Sequence, residues 1–381
     1  MSDPFVSVES LRDMNLWTRL QKKRVPVSFD IEITARCNND CRHCYINLPA
    51  GDRRAKAQEL TLAEIDRIAG EAASMGAVWC LLTGGEPLLR EDFADIYMAC
   101  KRHGLLVSVF TNGCLINKDH IELFKKYPPR DVEVTVYGVT EETYERVSRK
   151  HGTFAAFMRG LDLLFEANMP VRLKAVAIQS NVDEMPAIAE FCRKYTKDFF
   201  RFDPIMHLRY DGSPVRNAEI RSERLSPERI VEIEQADQAH YDALLKKCGA
   251  DAQNLQEHAG CDCSFHCGAG LSSFSVNYLG MFRMCSTLHH PDTMFDLRKM
   301  SVAEAWAHVP AVRSMHAKNP QFLEKCRTCT ITSLCANCSA NAYLETGAMD
   351  DWVEYFCDVA HARAAALRES QQIHFLTPIS T

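Results

Sequence analysis

The 381-residue sequence has little that would place it in a membrane or on nucleic acid. No apolar run approaches the roughly 18 residues that a spanning helix needs. The first five residues lack the basic and apolar regions of a secretory signal peptide. The net charge is only -6, with no long run of Lys or Arg, so neither nucleic acid nor a membrane surface is an expected partner. We therefore expect a cytoplasmic protein.

Cysteine, in contrast, is abundant: the chain has 17, an odd number. In a cytoplasmic protein, cysteines bind metal more often than they form disulfides. The composition therefore favours a metalloprotein, and the spacing of the cysteines decides which kind.

Residues 25–210 alternate between strand-like and helix-like segments. The helices are predicted at 61–75, 92–103, 119–127, 153–167 and 184–195, and the strands at 25–34, 77–82, 105–110, 132–137, 171–178 and 199–206. Six β-α repeats predict an α/β fold with a parallel sheet, open or closed. Active sites of such folds lie at the carboxyl ends of the strands. The segments that follow the first three strands contain residues 37–44, 84–87 and 111–113.

The chain changes character after the sixth predicted strand. Residues 211–225 are polar, and Ser226 followed by Pro227 predicts the start of a helix that runs to about residue 247. From residue 261 the cysteine density rises and regular periodicity fades. The predicted domains are an N-terminal arm, a barrel, a linker with a bridging helix, a metal-stabilised domain and a tail, at 1–24, 25–210, 211–260, 261–365 and 366–381.

Cys37, Cys41 and Cys44 form a C-x3-C-x2-C loop after the first strand. Three thiolates suit an iron–sulfur site, and three ligands on a four-iron cluster leave one iron open to bind a small molecule. The alternative is a zinc site completed by His43. A structural zinc site requires four closed ligands, and the loop offers no strong fourth.

This loop, together with Gly84-Gly85-Glu86-Pro87 after the second strand, resembles the radical S-adenosylmethionine superfamily. The resemblance implies a partial (β/α)6 TIM-like barrel and a [4Fe–4S] cluster on Cys37, Cys41 and Cys44. S-adenosylmethionine would bind the open iron through its amino and carboxylate groups. The residues expected at this cosubstrate are His43, Gly84, Gly85 and Glu86. Further candidates for contacts to its ribose or carboxylate, each of which could equally fill the barrel interior, are Thr111, Asn112, Thr135, Tyr137 and Lys174.

A second group of cysteines follows the barrel. Cys326 to Cys338 has the spacing C-x2-C-x5-C-x2-C, which is short for a single zinc ribbon. The region resembles the SPASM extension, a small, loop-rich, iron–sulfur-stabilised C-terminal domain. The family usually has three residues before the last cysteine of this run, whereas only Ala336 and Asn337 lie before Cys338.

The SPASM resemblance implies two auxiliary [4Fe–4S] clusters. One would be held by Cys326, Cys329, Cys335 and Cys357. The other would be held by Cys267, Cys285 and Cys338. Its fourth ligand would be Cys261, with Cys263 as the alternative.

The resemblance implies an oxidoreductase or maturase that cleaves S-adenosylmethionine to a 5′-deoxyadenosyl radical, with a flavodoxin or ferredoxin as the reductant. The leading hypothesis for the substrate is a peptide or protein side chain. Sulfatase maturases have an acidic residue after the cysteine that matches Cys285. This chain has Ser286 at that position, which counts against a sulfatase maturase.

Two alternatives stay open. The substrate could be a small molecule such as a tetrapyrrole in haem biosynthesis. Candidates to bind its carboxylates or to act as acid or base are Arg201, Asp203, His207, Arg209 and Tyr210. A chain of a different class, a non-catalytic iron–sulfur electron carrier, would have no need for the Gly84–Pro87 motif.

Overall fold

A computed structural model describes residues 16–196, 200–246, 262 and 264–369. Its strands are β1 (Ser28–Thr34), β2 (Arg36–Cys37), β3 (Leu48–Pro49), β4 (Trp79–Gly84), β5 (Leu106–Thr111), β6 (Asp131–Thr135), β7 (Val171–Val176), β8 (Arg201–Asp203), β9 (Ser273–Val276), β10 (Met281–Arg283) and β11 (Phe295–Asp296).

The helices surround this sheet and connect its strands. They are α1 (Leu16–Lys22), α2 (Arg53–Gln58), α3 (Leu62–Ser74), α4 (Phe93–Arg102), α5 (Lys118–Lys126), α6 (Glu141–Ser148), α7 (Thr153–Glu166), α8 (Met185–Tyr195), α9 (Pro214–Glu223), α10 (Pro227–Ala236), α11 (described over 238–246), α12 (Val302–Arg313), α13 (Pro320–Lys325), α14 (Ser339–Thr346) and α15 (Glu354–Glu369). None of the helices in the described part of the chain is long and apolar enough to cross a membrane.

Nine strands form one sheet in the order β11-β10-β9-β1-β4-β5-β6-β7-β8. The six strands from β1 to β8 in this order are all parallel, which confirms the predicted α/β fold with a central parallel sheet. Their order follows the chain, as expected for right-handed β-α-β units. The cysteine loop and the glycine motif therefore follow neighbouring strands, β1 and β4.

The C-terminal part contributes to the same sheet, which the sequence did not indicate. β9 pairs with β1 in parallel, and β10 pairs with β9 in antiparallel orientation. These strands have two to four residues each, too few for an alternating pattern to stand out. Part of the predicted metal-stabilised segment is thus an extension of the barrel sheet.

After the barrel, one helix was missed and one predicted helix differs in its extent. The predicted linker contains helix α9, which begins at Pro214 with Ser213 as its N-cap. The helix predicted from Ser226 is interrupted at Asp237, whose backbone is extended and whose carboxylate pairs with Arg193. Helices α2 and α6 were also missed.

Side chains alternate along β1 between the two faces of the sheet. Phe29, Ile31 and Ile33 pack in the main core with the residues of the surrounding helices. Asp30 and Glu32 point the other way, into the interior of the barrel. The interior of this barrel is therefore lined by charged groups near the first strand.

The C-terminal helix α15 is held to α10 by a buried ion pair. Arg363 donates from Nε and Nη2 to both carboxylate oxygens of Glu234, at 3.0 and 2.5 Å. Its Nη1 donates to the carbonyl of Leu334 at 2.9 Å. Every polar atom of this contact is satisfied.

We expect Arg363→Met to lower the free energy of unfolding by about 3–5 kcal/mol, because it leaves the buried Glu234 carboxylate without a partner. Thermal unfolding of the variant against the parent measures this loss. Lys125→Met is the control, since it breaks an exposed ion pair with Glu122 and should cost less than about 1 kcal/mol. Equal effects of the two variants would contradict the account.

Candidate active site

The cysteine loop closes on itself just after β1. The short strands β2 and β3 pair in parallel, with Cys37 opposite Pro49. Cys41 is buried, while Cys37 and Cys44 are half-buried. The backbone N–H groups of Asn39 and Asn47 point at the sulfurs of Cys37 and Cys44, at 3.4 and 3.3 Å. Hydrogen bonds of this kind stabilise thiolates that ligate a metal.

The three thiols influence one another electrostatically. Burial raises the pKa of Cys37, and Glu86, Cys41 and Cys44 raise it further. Burial, and then Cys44, raise the pKa of Cys41 in the same way. Thiols in this arrangement become thiolates when a cationic centre compensates their charge. The donor set therefore fits an iron–sulfur cluster.

The described residues form no group of three or more His, Cys, Asp or Glu side chains that could hold a single metal ion. A four-iron cluster is larger than one ion, and its ligands stand further apart.

Two arginines that follow β8 in the chain donate hydrogen bonds to the backbone of the loop. Arg209 donates from Nη1 to the carbonyls of Cys44 and Asn47, both at 3.2 Å. Arg216 donates from Nη2 to the carbonyl of Cys41 at 3.1 Å. Arg209, which the sequence suggested as a carboxylate-binding or acid–base residue, is thus committed to the backbone of the cysteine loop. Arg216 was missed, because a single arginine in a polar segment carries no local signal.

The glycine motif packs directly on the end of β1. A Cβ at Gly84 would lie 2.1 Å from the carbonyl oxygen of Thr34, and one at Gly85 would lie 2.4 Å from that of Arg36. Gly84 also has a φ of +144°, which side chains disfavour. Gly85 and Glu86 donate their N–H groups to Thr34 and Arg36, at 2.7 and 2.8 Å. The close approach that the glycines allow is therefore to the strand that leads into Cys37.

Glu86 connects the second and third loops. Its buried carboxylate accepts from the hydroxyl of Thr111 and from the backbone N–H of Asn112, both at 2.8 Å, and from Leu88 N–H at 3.1 Å. Burial raises the pKa of Glu86 to about 7, although these hydrogen bonds favour the charged form. Asn112 in turn reaches the cysteine loop, with Nδ2 3.7 Å from Cys37 Sγ.

His43 is part of the cysteine loop and lies against the segment that follows β6. Its ring meets Tyr137 edge-on at 5.6 Å. Its Nδ1 is shielded from solvent and has no hydrogen-bond partner among the described residues. Burial, and then the charge of Arg216, lower the pKa of His43 to about 4. The ring is therefore neutral and leaves one nitrogen available.

Thr135 and Lys174 lie side by side at the same register position of β6 and β7. Lys174 is already engaged inside the barrel, with Nζ 2.5 Å from Glu133 and 3.8 Å above the ring of Phe110. Hydrogen bonds bring Cys37, Glu86 and Asn112 together. Thr135 and Lys174, on β6 and β7, lie further along the sheet.

The C-terminal cysteines assemble in two groups. Cys326 interacts electrostatically with Cys329 and Cys357, and Cys335 interacts with all three. Burial and these neighbours raise the pKa of both Cys326 and Cys335 to about 11. These four are the residues that the sequence grouped as one ligand set.

The second group contains Cys267, Cys285 and Cys338. Burial, and then Cys285 and Cys267, raise the pKa of Cys338 to about 11. Cys285 lies just after β10, where the sheet of the barrel meets the C-terminal segment. Cys261 and Cys263, the two candidates for a fourth ligand, lie outside the described residues.

Aromatic rings line the space between the cysteine loop and Cys285. Tyr45, next to Cys44, lies 4.7 Å from the ring of His207 and 4.8 Å from that of Tyr210. Tyr210 stacks on His289 at 3.5 Å. The sequence singled out His207 and Tyr210, but Tyr45 and His289 were missed because no spacing rule links them.

Comparison with known proteins assigns this arrangement to a class. Residues 31–192 match the model of the Radical SAM superfamily. The chain therefore carries a radical SAM domain and is an enzyme of the radical SAM type. It uses a [4Fe–4S] cluster to cleave S-adenosylmethionine, and the resulting radical abstracts hydrogen from the substrate.

The sequence identities to individual relatives are low. The chain is 26% identical over 336 residues to an AdoMet-dependent heme synthase of Methanosarcina barkeri, covering 83% of this chain and 92% of that protein. It is 24% identical over 328 residues to the subtilosin biosynthesis protein AlbA of Bacillus subtilis, covering 82% and 67%. Among solved structures, SuiB of Streptococcus suis bound to S-adenosylmethionine has a TM-score of 0.64 at 15% identity, covering 92% and 84%. SuiB has also been solved with its precursor peptide SuiA.

We expect Gly85→Ala to displace the cysteine loop, because its Cβ would meet backbone oxygen that no rotamer change can move. The expected cost is about 1–3 kcal/mol, together with a loss of bound iron. Thermal unfolding and iron analysis of the purified protein measure both. Gly51→Ala is the control, since nothing lies within 4 Å of its Cβ position. Normal iron content in Gly85→Ala would contradict the role given to this contact.

Proposed function

We propose that Cys37, Cys41 and Cys44 ligate the [4Fe–4S] cluster of this enzyme and that S-adenosylmethionine binds beside it. The supporting observation is the junction of three loops at the carboxyl ends of β1, β4 and β5, joined through Glu86 and Asn112. When bound, the cluster supplies the electron that cleaves the cosubstrate. The chain positions the thiolates, lines the site with the 84–86 and 111–112 backbones, and shields it from water inside the barrel.

We propose further that the C-terminal part is a SPASM-type domain with two auxiliary clusters. The grouping of its cysteines supports this, because four of them interact as one set and three as another. The ligands of the first set would be Cys326, Cys329, Cys335 and Cys357. Those of the second would be Cys267, Cys285, Cys338 and one of the two cysteines at 261 and 263. A flavodoxin or ferredoxin would supply electrons.

The substrate that we propose is a peptide or protein side chain. AlbA takes part in the biosynthesis of a bacteriocin, and the fold is that of SuiB, which binds a precursor peptide. The barrel interior of this chain is polar and lined by aromatic rings near the cysteine loop, which suits a segment of peptide rather than a wholly apolar ligand.

A tetrapyrrole is the second candidate. It is favoured by the similarity to the heme synthase, which extends over 92% of that protein. The structure removes one of the residues proposed to bind a tetrapyrrole carboxylate, since the guanidinium of Arg209 donates to the backbone of the cysteine loop. The remaining candidates for that role are Arg201, Asp203, His207 and Tyr210.

The two substrates are separated by anaerobic turnover with S-adenosylmethionine and a chemical reductant. We expect production of 5′-deoxyadenosine to rise when a precursor peptide encoded beside the gene is added, with a change in the mass of that peptide. A tetrapyrrole that carries propionate side chains should cause no such rise. Stimulation by the tetrapyrrole alone would reverse the assignment.

The auxiliary clusters are tested by replacing Cys326 and Cys329 together with Ala. Iron per chain should fall by about one [4Fe–4S] cluster, because the set loses two of its four thiolates. Cys100→Ala is the matched control, since this thiol is buried among core side chains. An unchanged iron content in the double variant would refute the proposed ligand set.

A further inference from the structure

The cysteine loop reaches the surface of the protein. Arg42, which lies between Cys41 and Cys44, exposes 52% of its side chain. Electron transfer between proteins slows steeply with distance, so a donor protein has to approach the receiving thiolates closely. The loop therefore gives such a donor a direct approach to the proposed cluster from solvent.

Two helices pack beside the loop and complete this surface. Arg216 of α9 donates to the carbonyl of Cys41 at 3.1 Å. The N–H of Asp40 donates to the carbonyl of Ser148, the last residue of α6, at 2.9 Å. We name the surface formed by residues 38–44, 148–151 and 213–224 the loop face.

The acidic side chains of the loop face are shared between arginines or buried. Asp40 and Glu219 each pair with both Arg149 and Arg216, at distances of 2.6 to 3.2 Å. Glu223 exposes only 4% of its side chain. These carboxylates are therefore neutralised from within, and they present little negative charge to an approaching protein.

Outside these pairs, the loop face exposes cations. Arg42 and Arg221 expose 52% and 49% of their side chains, and Lys150 is also exposed. The partner of Arg221 is the buried Glu345, which also pairs with Arg224. The chain as a whole has a net charge of -6. A positive surface on an acidic chain directs an acidic partner to that one position.

The loop face also exposes an apolar side chain. Val215, in the first turn of α9, is 73% exposed, compared with 42% for Val78 and 44% for Leu106. It directly precedes Arg216, which contacts the cysteine loop. Protein interfaces combine apolar contacts with a polar rim. The dimethylbenzene edge of a flavin is an apolar group that a carrier protein can present to such a side chain.

We propose that the loop face is the docking surface for an acidic flavodoxin, which reduces the cluster proposed at Cys37, Cys41 and Cys44. The inference rests on the proposed function, because a carrier has a role only if the loop holds a cluster. One electron passes in the complex. The anionic flavin hydroquinone becomes the neutral semiquinone, and the cluster goes from the 2+ to the 1+ state, so no bond is made or broken.

The first test is the affinity of a purified bacterial flavodoxin for the cluster-loaded protein, both oxidised, measured by isothermal titration calorimetry. Arg42→Gln combined with Lys150→Gln should raise the Kd about tenfold at low salt, because two exposed cations are lost. The effect should shrink at high salt, where exposed charges are screened.

Lys125→Gln combined with Lys126→Gln is the matched control, since it removes the same charge from another exposed site. These lysines end α5, just before β6 begins. They therefore lie toward the amino ends of the strands, opposite the cysteine loop, and the Kd should not change. Val215→Ser should raise the Kd several-fold, whereas Val78→Ser, at the start of β4, should not.

The second test compares two reductants in the production of 5′-deoxyadenosine from S-adenosylmethionine. The Arg42 and Lys150 double variant should lose at least five times more of its rate with flavodoxin hydroquinone than with dithionite, because dithionite needs no docking surface. The Lys125 and Lys126 control should lose neither rate.

Three results would overturn the proposal: equal affinities of the two double variants for flavodoxin, equal losses with the two reductants, or tighter binding of a [4Fe–4S] ferredoxin than of flavodoxin. A parent protein that fails to cleave S-adenosylmethionine with dithionite would instead refute the proposed function. The two failures are therefore distinguishable, since the dithionite reaction does not involve the loop face.

Discussion

The close contact between the glycine motif and the end of β1 is the constraint on which the site depends. Gly84 and Gly85 bring the backbone after β4 against Thr34 and Arg36, at distances that no side chain would allow. Two backbone hydrogen bonds then set the relative positions of these segments. Because Cys37 follows Arg36 directly, the position of the first thiol is fixed by this contact. Glu86 extends the same contact to the loop after β5.

Several of the candidate ligand thiols are difficult to ionise without a metal. Burial and mutual proximity raise the pKa of Cys37 and Cys41 in the barrel, and those of Cys326, Cys335 and Cys338 beyond it. Such groups lower the stability of a metal-free protein if they ionise, and they contribute stability when a cationic cluster binds them. The buried thiols of the barrel and those of the C-terminal segment therefore share the same electrostatic environment.

The barrel and the C-terminal segment are also joined by strand pairing and side-chain contacts. β9 lengthens the barrel sheet beside β1, and Arg283 at the end of β10 reaches back into the barrel to Glu32. Arg209 and Arg216 brace the cysteine loop from the other side. A substrate between the cysteine loop and Cys285 would contact residues from both parts. The shape of the space between the cysteine loop and Cys285 thus depends on both parts of the protein.

The sequence by itself determined the class of the protein and most of the strands. All six parallel strands were predicted, because apolar runs between helices are a local pattern. Cys37, Cys41 and Cys44 were singled out by their spacing, and the glycine motif and the two sets of C-terminal cysteines by their resemblance to known families. The placement of β9 in the barrel sheet, the contacts of Arg209 and Arg216 with the cysteine loop, and the ion pair between Arg283 and Glu32 were decided by tertiary structure alone. Each depends on contacts between residues far apart in the chain, and an isolated arginine or a four-residue strand carries no periodicity from which such contacts can be inferred.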